Sequence, residues 1–542
     1  MNALYSEESL LFEPAVTDAD AVPLVFAFPN TYSIGITSLG FQVVWALLAS
    51  RPDLDVTRLF TDSEPRRRGR ARLMGFSVSW ELDYINILNL LEQDGIPLRA
   101  AERGDEHPLV FGGGPVLTAN PEPFADFFDI VLVGDGEELL HEFIDAYQEV
   151  KGSDRLTQLK YLARIPGIYV PQLYDLVYES ATGAVQDCQP KYDGVPDRIQ
   201  KRTYRSRTLS TSSVVTPRAA WENIYMVEVV RSCPEMCRFC LASYLTLPFR
   251  VADVEGSLIP AIDRGLEVTN RLGLLGASIT QHPEFDALLD YLDGDRFDGV
   301  RMSLSSVRTG TVTEKLTRVL TRRGSNSITV AVESGSERLR QVINKKLSNE
   351  EIEQAAIAAQ SGGLKSLKLY GMAGLPTELD EDLDATVEML KGLRRQAPKL
   401  RFSFGCSTFV PKAHTPFQWQ GVNRKAEKKL KLLQKRLRPV GIDFRPESYN
   451  WSVIQALISR GDRRISRVLE LARGFGDSLG SYKRAFKELK QELPPLEYYV
   501  HQDWDVDAPL PWGHIQGPLQ RDRLIQHRAA ALSVETPELA SV

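Results

Sequence analysis

The sequence predicts an α/β protein in which two series of parallel strands alternate with helices and a helical region follows. Three observations support this fold class. Short apolar runs alternate with helix-like segments in the first third of the chain, the alternation resumes after residue 220, and strand signals fade after Trp419. Because short, continuous apolar runs are typical of strands covered on both faces, we expect parallel sheets.

These changes of pattern divide the chain into four parts. We expect a Rossmann-like parallel sheet in residues 1–170, a β-rich linker in 171–220, a partial (β/α)6 barrel of TIM type in 221–420 and a helical accessory domain in 421–542. Scattered Pro, Gly, Ser and Thr residues indicate the linker. Six β/α units are fewer than the eight of a closed barrel, so the barrel is predicted to be partial.

Composition narrows the class of protein further. Of the 542 residues, 43% are hydrophobic and 25% charged, the net charge is −6, and five are cysteines. These values predict a soluble globular protein, and no apolar run is long enough to span a bilayer. The first residues lack the pattern of a signal peptide, so we expect a cytoplasmic protein without membrane insertion.

Three of the five cysteines are grouped directly after a predicted strand that ends at Val230. Cys233, Cys237 and Cys240 form a CxxxCxxC motif on a loop. Cysteine thiolates are the usual ligands of iron–sulfur clusters, and three of them leave one iron of a four-iron cluster open. The alternative is a structural zinc site, which needs a fourth ligand nearby, whereas the first histidine after the motif is His282.

The motif resembles the cluster loop of the radical S-adenosylmethionine (radical SAM) superfamily, and the turns after the next predicted strands extend the likeness. The resemblance implies that the three cysteines hold a 4Fe-4S cluster. It also implies that S-adenosylmethionine contacts Phe239, Gly276, Ser278, Ser305, Arg308, Glu333 and Gly374.

The resemblance also implies a reaction. Reductive cleavage of S-adenosylmethionine would yield a 5′-deoxyadenosyl radical that modifies a substrate, small or macromolecular, which the sequence does not identify. An external electron donor such as ferredoxin or flavodoxin would be the partner. Two alternatives remain: an RNA-modifying radical SAM enzyme, and a non-catalytic iron–sulfur assembly or redox-sensing protein.

The first part of the chain resembles the cobalamin-binding domain that precedes many radical SAM barrels. In that domain a histidine in a DxHxxG loop ligates cobalt, whereas Tyr32 occupies this position in the segment 30–35. A phenol with a pKa near ~10 is a poor cobalt ligand at neutral pH. Either cobalamin binds without a protein histidine, or the fold is retained for substrate binding or barrel packing.

The nearest likeness is to a fused, uncharacterised group of cobalamin-domain radical SAM proteins. Its marks are the segments 409–419, 459–464 and 510–515. Within the first of these, Lys412 and His414 follow the sixth predicted barrel strand and are candidates to contact substrate. A structural role for the histidine is an equal expectation.

The region after the predicted barrel is locally basic. Eight basic residues and one acidic residue, Glu427, lie between Arg424 and Arg438, and Arg460, Arg463, Arg464 and Arg467 follow. These side chains predict either an RNA contact or the solvated face of an amphipathic helix. The isolated Cys188 and Cys406 are expected to be plain residues.

Overall fold

Parallel strands and the helices that cover them make up most of the computed structural model, which describes residues 3–64 and 71–534. Residues 1–2, 65–70 and 535–542 lie outside the described residues, so the predicted first and last parts of the chain are described incompletely. Within the described ranges no helix is long and apolar enough to cross a membrane.

Strands and α-helices alternate along the described chain. In chain order the strands are β1 (Ser9–Leu10), β2 (Val22–Ala27), β3 (Leu54–Leu59), β4 (Leu73–Ser77), β5 (Leu109–Gly113), β6 (Ile130–Leu132), β7 (Ile168–Tyr169), β8 (Tyr174–Tyr178), β9 (Val185–Pro190), β10 (Ile199–Gln200), β11 (Val214–Val215), β12 (Ile224–Glu228), β13 (Val230–Arg231), β14 (Arg250–Val251), β15 (Arg271–Leu275), β16 (Arg301–Leu304), β17 (Ser327–Glu333), β18 (Ser366–Ala373), β19 (Arg401–Thr408), β20 (Asp443–Pro446) and β21 (Ile515–Gln516). The α-helices are α1 (Tyr32–Gly35), α2 (Leu39–Ala49), α3 (Tyr84–Gln93), α4 (Pro115–Ala119), α5 (Gly136–Val150), α6 (Arg155–Leu162), α7 (Leu241–Tyr244), α8 (Ile259–Leu266), α9 (Phe285–Asp293), α10 (Glu314–Arg322), α11 (Glu337–Val342), α12 (Asn349–Ser361), α13 (Asp380–Gln396), α14 (Ala426–Leu437), α15 (Tyr449–Arg460), α16 (Ile465–Gly474), α17 (Leu479–Glu488), α18 (Leu496–Val500) and α19 (Arg521–Leu532).

The first sheet has the strand order β3-β2-β4-β5-β6-β7. Its strands are parallel except β7, which runs antiparallel to β6. Val25 and Phe26 point to opposite faces of β2, yet both are buried, because helices cover each face. The strand order reverses between β2 and β4, and sheets of this kind usually bind ligands at the carboxyl edge near such a reversal.

The second group of parallel strands, which we call the second strand array, consists of the sheets β12-β15-β16 and β17-β18-β19-β20. One parallel bridge, between Val307 and Val330, joins the two sheets. Helices α8, α9, α10, α12, α13 and α14 connect successive strands. The carboxyl ends of the strands therefore face the same side of the array. The predicted mixed α/β fold with parallel sheets is confirmed.

Helix α12 shows how local sequence positions these crossovers. Ser348 accepts a hydrogen bond from the N–H of Glu351, whose carboxylate accepts one from the N–H of Ser348. This reciprocal capping box satisfies amide groups that the first helical turn leaves unpaired. Ile352, Ala355 and Ala359 then fall on one buried face of the helix, which packs against the array.

The second strand array extends past residue 420, where the helical region was expected to begin. Helix α14 follows β19, and β20 pairs in parallel with β19, with Ser403 opposite Asp443. Strand β20 is a short edge strand with the sequence Asp-Phe-Arg-Pro, and charged and proline residues are what such edges carry. A polar segment of this length has no strand signal that hydrophobic periodicity can detect.

The rest of the helical region packs on the first sheet rather than forming a separate core. Leu457 of α15 and Val468 of α16 belong to the same hydrophobic core as Leu88 of α3 and Phe124. The predicted linker also forms strand pairings, two of them with distant parts of the chain. Strands β8 and β9 form a hairpin, β10 pairs with β21, and β11 pairs with β1.

Candidate functional site

The three cysteines lie on a loop that two short strands close at its base. β13 and β14 pair antiparallel, and the loop and helix α7 lie between them. Within the loop the N–H of Cys240 donates to the carbonyl of Cys237 at 2.9 Å. Ser232 and Met236 adopt left-handed backbone conformations, with φ of 73° and 55°. Side chains make this conformation costly, so the surrounding contacts must hold the loop in shape.

All three cysteines line one cavity of about 190 Å³ at the carboxyl edge of the second strand array. Four of the seven residues predicted to contact S-adenosylmethionine line the same cavity, namely Phe239, Ser278, Arg308 and Glu333. The structure therefore brings together residues separated by almost one hundred positions in the chain. We call this space the cysteine cavity.

The donor set of the cysteine cavity consists of three thiols, the ligand type that iron–sulfur clusters use. Within residues 3–64 and 71–534, no three His, Cys, Asp or Glu side chains converge tightly enough to hold one metal ion. A cubane cluster presents a different iron to each thiolate, so its ligands need to line a cavity rather than meet at a point. Cys188 and Cys406 lie apart from this cavity, on β9 and β19.

Burial of the cysteines disfavours their thiolate forms. It raises the pKa of Cys233 and Cys240, and it raises the pKa of Cys237 to about 12, although Lys345 acts in the opposite direction on Cys237. A thiolate buried in this way is stabilised by a bound cation, which is how metal binding and thiol deprotonation are coupled.

Two charged pairs line the cysteine cavity together with the cysteines. The ammonium of Lys345 lies 3.1 Å from the carboxylate of Glu333, and Glu333 has a left-handed φ of 63° at the end of β17. Arg308 pairs with Glu235, which lies between the first two cysteines. The Oε2 atom of Glu235 is buried and has no hydrogen-bond partner among the described residues. The cavity thus holds both cationic and anionic groups that a zwitterionic ligand could contact.

The segment after α11 supports the cysteine loop from behind. Asn344 donates from its side-chain amide to the carbonyls of Glu235 and Met236, at 3.2 and 2.8 Å. Arg238 donates to the carbonyls of Gln341 and Val342. Sequence reasoning missed Asn344 and Lys345, because a short polar segment after a helix resembles an ordinary exposed turn.

Two family models match the chain across these regions. One, described as the N-terminal region of radical SAM proteins, matches residues 56–171, and the other, described as the radical SAM superfamily, matches residues 227–390. The chain belongs to the radical SAM superfamily. The second match contains the whole cysteine loop and every residue of the cysteine cavity named above, so this radical SAM protein is an enzyme whose reaction class is unknown.

The radical SAM chain is similar to several known proteins. It is 26% identical to the uncharacterized protein MJ0966 of Methanocaldococcus jannaschii over 84% of this chain and 93% of that protein. It is also similar to the structure of the cobalamin-dependent S-adenosylmethionine radical enzyme OxsB (TM-score 0.49, 11% identity, 95% and 79% of the two chains). A third likeness is to the radical S-adenosylmethionine methyltransferase TsrM of Kitasatospora setae (TM-score 0.47, 13% identity, 71% and 73%).

Three of the predicted S-adenosylmethionine contacts lie outside the cysteine cavity. The N–H of Gly276 donates to the hydroxyl of Ser305 at 3.2 Å, and the residues that follow each of them line the cavity. The N–H of Gly374 donates to Glu378 at 2.6 Å, and this turn lines a separate groove. Gly276 and Ser305 thus border the cysteine cavity, whereas Gly374 lines a different groove.

Neither predicted substrate contact lines the cysteine cavity of the radical SAM enzyme. The ammonium of Lys412 pairs with Glu81, which follows strand β4 of the first sheet, and donates to the hydroxyl of Ser459 at 3.1 Å. His414 is buried and lines a different cavity, close to Gly517. The structure therefore gives Lys412 a contact between parts of the fold rather than a free ammonium at the active site.

Tyr32 is not placed to ligate cobalt. Its hydroxyl donates to Glu8 at 2.6 Å, and Glu8 forms a bidentate ion pair with Arg58. Burial and the neighbouring carboxylate raise the pKa of Tyr32, so the side chain is an uncharged phenol whose proton is already engaged. The residue in the family's histidine position therefore does not fit the role of a cobalamin ligand.

Most of the basic residues at helix α14 and in the segment 460–467 are paired within the protein. Arg463 pairs with the buried Glu122, Arg464 pairs with Asp462, and Arg460 is buried. Arg467, Arg424, Lys429, Lys431 and Arg436 also form ion pairs. These contacts give the arginines of the segment 460–464 a structural role, and an RNA surface is not shown.

Proposed function

We propose that Cys233, Cys237 and Cys240 hold a 4Fe-4S cluster that binds and reductively cleaves S-adenosylmethionine. The observation that carries this proposal is the shared cavity, which three cysteines line together with side chains of both charge signs. When bound and reduced by an external electron donor, the cluster would supply the electron that breaks a carbon–sulfur bond of S-adenosylmethionine, and the deoxyadenosyl radical would remove a hydrogen atom from a substrate.

The residues around the cluster would bind and orient the cofactor. In this proposal the carboxylate of Glu333 accepts hydrogen bonds from the cationic or hydroxyl groups of S-adenosylmethionine, and Lys345 neutralises that carboxylate while the site is empty. Asn344 holds the loop backbone so that the thiolates keep their positions. Cys237 is buried and Cys233 and Cys240 are half-buried, which limits water at the reacting atoms and protects radical chemistry from side reactions.

For the first sheet we propose a packing role. Glu81 pairs with Lys412, and Asn120 donates to the carbonyls of Ser459 and Gly461, so the carboxyl edge of the sheet is bound to other parts of the fold. The alternative is that cobalamin binds without a protein histidine; the structures of OxsB and TsrM have cobalamin bound. Titration with aquacobalamin separates the two: an unchanged visible spectrum supports packing, and a saturable spectral shift contradicts it.

Anaerobic reconstitution of the full chain tests the radical SAM proposal. We expect roughly four irons per chain and formation of 5′-deoxyadenosine when dithionite and S-adenosylmethionine are added. Cys237→Ser should lose most of the iron and all cleavage. Cys406→Ser is the matched control, because Cys406 is equally buried but lies outside the cavity, and it should keep both.

Three results would contradict the proposal. Zinc in place of iron in anaerobically purified protein would indicate the structural metal site. Iron retention in Cys237→Ser equal to that of the unmodified chain would remove the assigned ligand. A fully loaded cluster without 5′-deoxyadenosine would favour the non-catalytic assembly or redox-sensing role.

A further inference from the structure

A second cavity, of about 850 Å³, lies outside the cysteine cavity. Its walls come from the strand β10 and the residues that follow it, from the turn at Leu247, from the loop after β19 and from the segment around Trp512. The segment at helix α7 contributes to both cavities: Ser243 lines the cysteine cavity, and Leu247, four residues later, lines this one. We call it the basic pocket. Its volume lies within the range of small-molecule sites, roughly 300–1,000 Å³.

The charges that line the basic pocket are all positive. They belong to Arg198, Lys201, Arg205 and Arg521, and no Asp or Glu lines the pocket within the described part of the chain. The whole chain carries a net charge of −6, so this concentration of positive charge does not reflect its composition. A concave surface with charges of one sign concentrates ligands of the opposite sign.

Lys201 carries its positive charge inside the protein. Its ammonium donates to the carbonyl of Arg202 at 2.8 Å and to the hydroxyl of Thr203 at 3.0 Å, and both acceptors are neutral. Burial lowers the pKa of Lys201, while Asp135, which attracts it, is already paired with Arg250 at 2.6 Å. A buried ammonium with neutral partners is stabilised when an anion binds beside it.

His414 is held in an unfavourable backbone conformation at the inner wall of the pocket. Its φ is 60°, it is 8% exposed, and its Nε2 has no hydrogen-bond partner among the described residues. The side chain of Gln418 fixes the position by accepting from the N–H of His414 and from the indole of Trp512, both at 2.9 Å. Strain that neighbouring contacts maintain is a feature of binding sites, and an unpartnered ring nitrogen there is available to a ligand.

We propose that the basic pocket binds a small-molecule polyanion of up to nucleotide size, which carries phosphate groups or several carboxylates. The four cationic side chains would contact its anionic oxygens, and the neutral His414 would contact an uncharged polar part. The further step, that this polyanion is the substrate of the neighbouring radical site, rests on the proposed function. Binding itself does not depend on that function.

Calorimetric titration of the reconstituted full chain tests the proposal, with pyrophosphate and citrate as separate probes. We expect at least one of them to bind, and the probe that binds identifies the anionic group. The double variant Arg198→Gln/Arg205→Gln should lower the affinity roughly tenfold, because each side chain removed is a charged donor. The control Arg207→Gln/Arg523→Gln removes the same charge from residues outside the pocket and should change the affinity less than about twofold.

The outcomes distinguish the pocket from the radical reaction. If neither probe binds, or if the control weakens binding as much as the pocket variant does, the proposal is overturned. Formation of 5′-deoxyadenosine is measured on the same preparations. Selective loss of probe binding in a chain that never cleaves S-adenosylmethionine would support the pocket and contradict the proposed function. Lys201→Gln, which leaves both exposed arginines in place, should also weaken probe binding.

Discussion

Replacement of Lys412 by methionine should destabilise the protein rather than remove a substrate contact. The ammonium of Lys412 pairs with Glu81, whose carboxylate also accepts hydrogen bonds from Gln455 at 3.1 Å and Ser459 at 3.0 Å. The Glu81 side chain is 10% exposed and that of Lys412 is 19% exposed. Lys412→Met would therefore leave a buried carboxylate without its counter-charge.

The size of this effect follows from the burial of the pair. Loss of one partner of a buried ion pair costs about 3–5 kcal/mol, and partial exposure of Lys412 suggests the lower end of that range. Replacement of both partners by neutral residues of similar volume is often close to neutral. We expect Lys412→Met to lower the free energy of unfolding by about 3 kcal/mol, and Glu81→Gln/Lys412→Met to recover most of that loss.

Urea unfolding of the full chain, followed by circular dichroism, measures these differences. The unmodified chain, both single variants and the double variant form a complete double-mutant cycle. If Lys412→Met is as stable as the unmodified chain, the structural assignment of Lys412 is wrong. The same holds if the double variant is no more stable than Lys412→Met.

The same pair predicts a dependence on pH. Burial raises the pKa of Glu81, but Lys412 and the hydrogen bonds outweigh burial and hold it below its ordinary value. A carboxyl group with a lowered folded-state pKa stabilises the protein above its unfolded pKa, about 4.3 for Glu, and loses that contribution as the pH falls through the folded value. The double variant should therefore lose less stability than the unmodified chain below about pH 4.3.

Three further predictions concern the active site and the helical region. Glu333→Gln should weaken S-adenosylmethionine binding roughly tenfold in equilibrium dialysis, because a charged acceptor is lost, while Glu337→Gln on the exposed start of α11 should leave it unchanged. Asn344→Ala removes one donor from each of two loop carbonyls, of which that of Met236 keeps the hydroxyl of Tyr244, and should accelerate iron loss to a chelator, without loss of overall fold by circular dichroism. Arg463→Leu should destabilise the chain by about 3–5 kcal/mol in urea, because it breaks a buried ion pair. Arg467→Leu breaks an exposed pair and should cost about 1 kcal/mol or less; equal effects of the two variants would refute this account.

Local pattern was sufficient for the main strands and for the grouping of the three cysteines. The continuous apolar runs at β2, β4, β5 and β6 are buried on both faces, as their composition indicates. The spacing of the cysteines likewise places them on one loop, because few conformations of eight residues separate them widely. In both cases the information lies in neighbouring residues, which is where periodicity and spacing operate.

Pattern failed where long-range contacts decide the outcome. Strand β20 is a polar edge strand that forms because β19 offers unpaired backbone groups, and no signal in its own four residues predicts this. Lys412 follows a strand of the second array, as a substrate contact would, but the first sheet supplies Glu81 to pair with it. Arg463 lies in a basic segment that suggests RNA binding, yet a carboxylate more than 300 residues earlier engages it.

The composition and spacing of short segments thus account for the α/β class and for the grouping of the three cysteines. Tertiary structure assigns the partners of charged side chains, because an ion pair depends on which distant elements pack together. The pairing of Lys345 with Glu333, that of Tyr32 with Glu8 and the grouping of cations in the basic pocket all follow from that packing. Charge attraction is strong only at short range and where burial excludes water, and the chain meets both conditions only after it has folded.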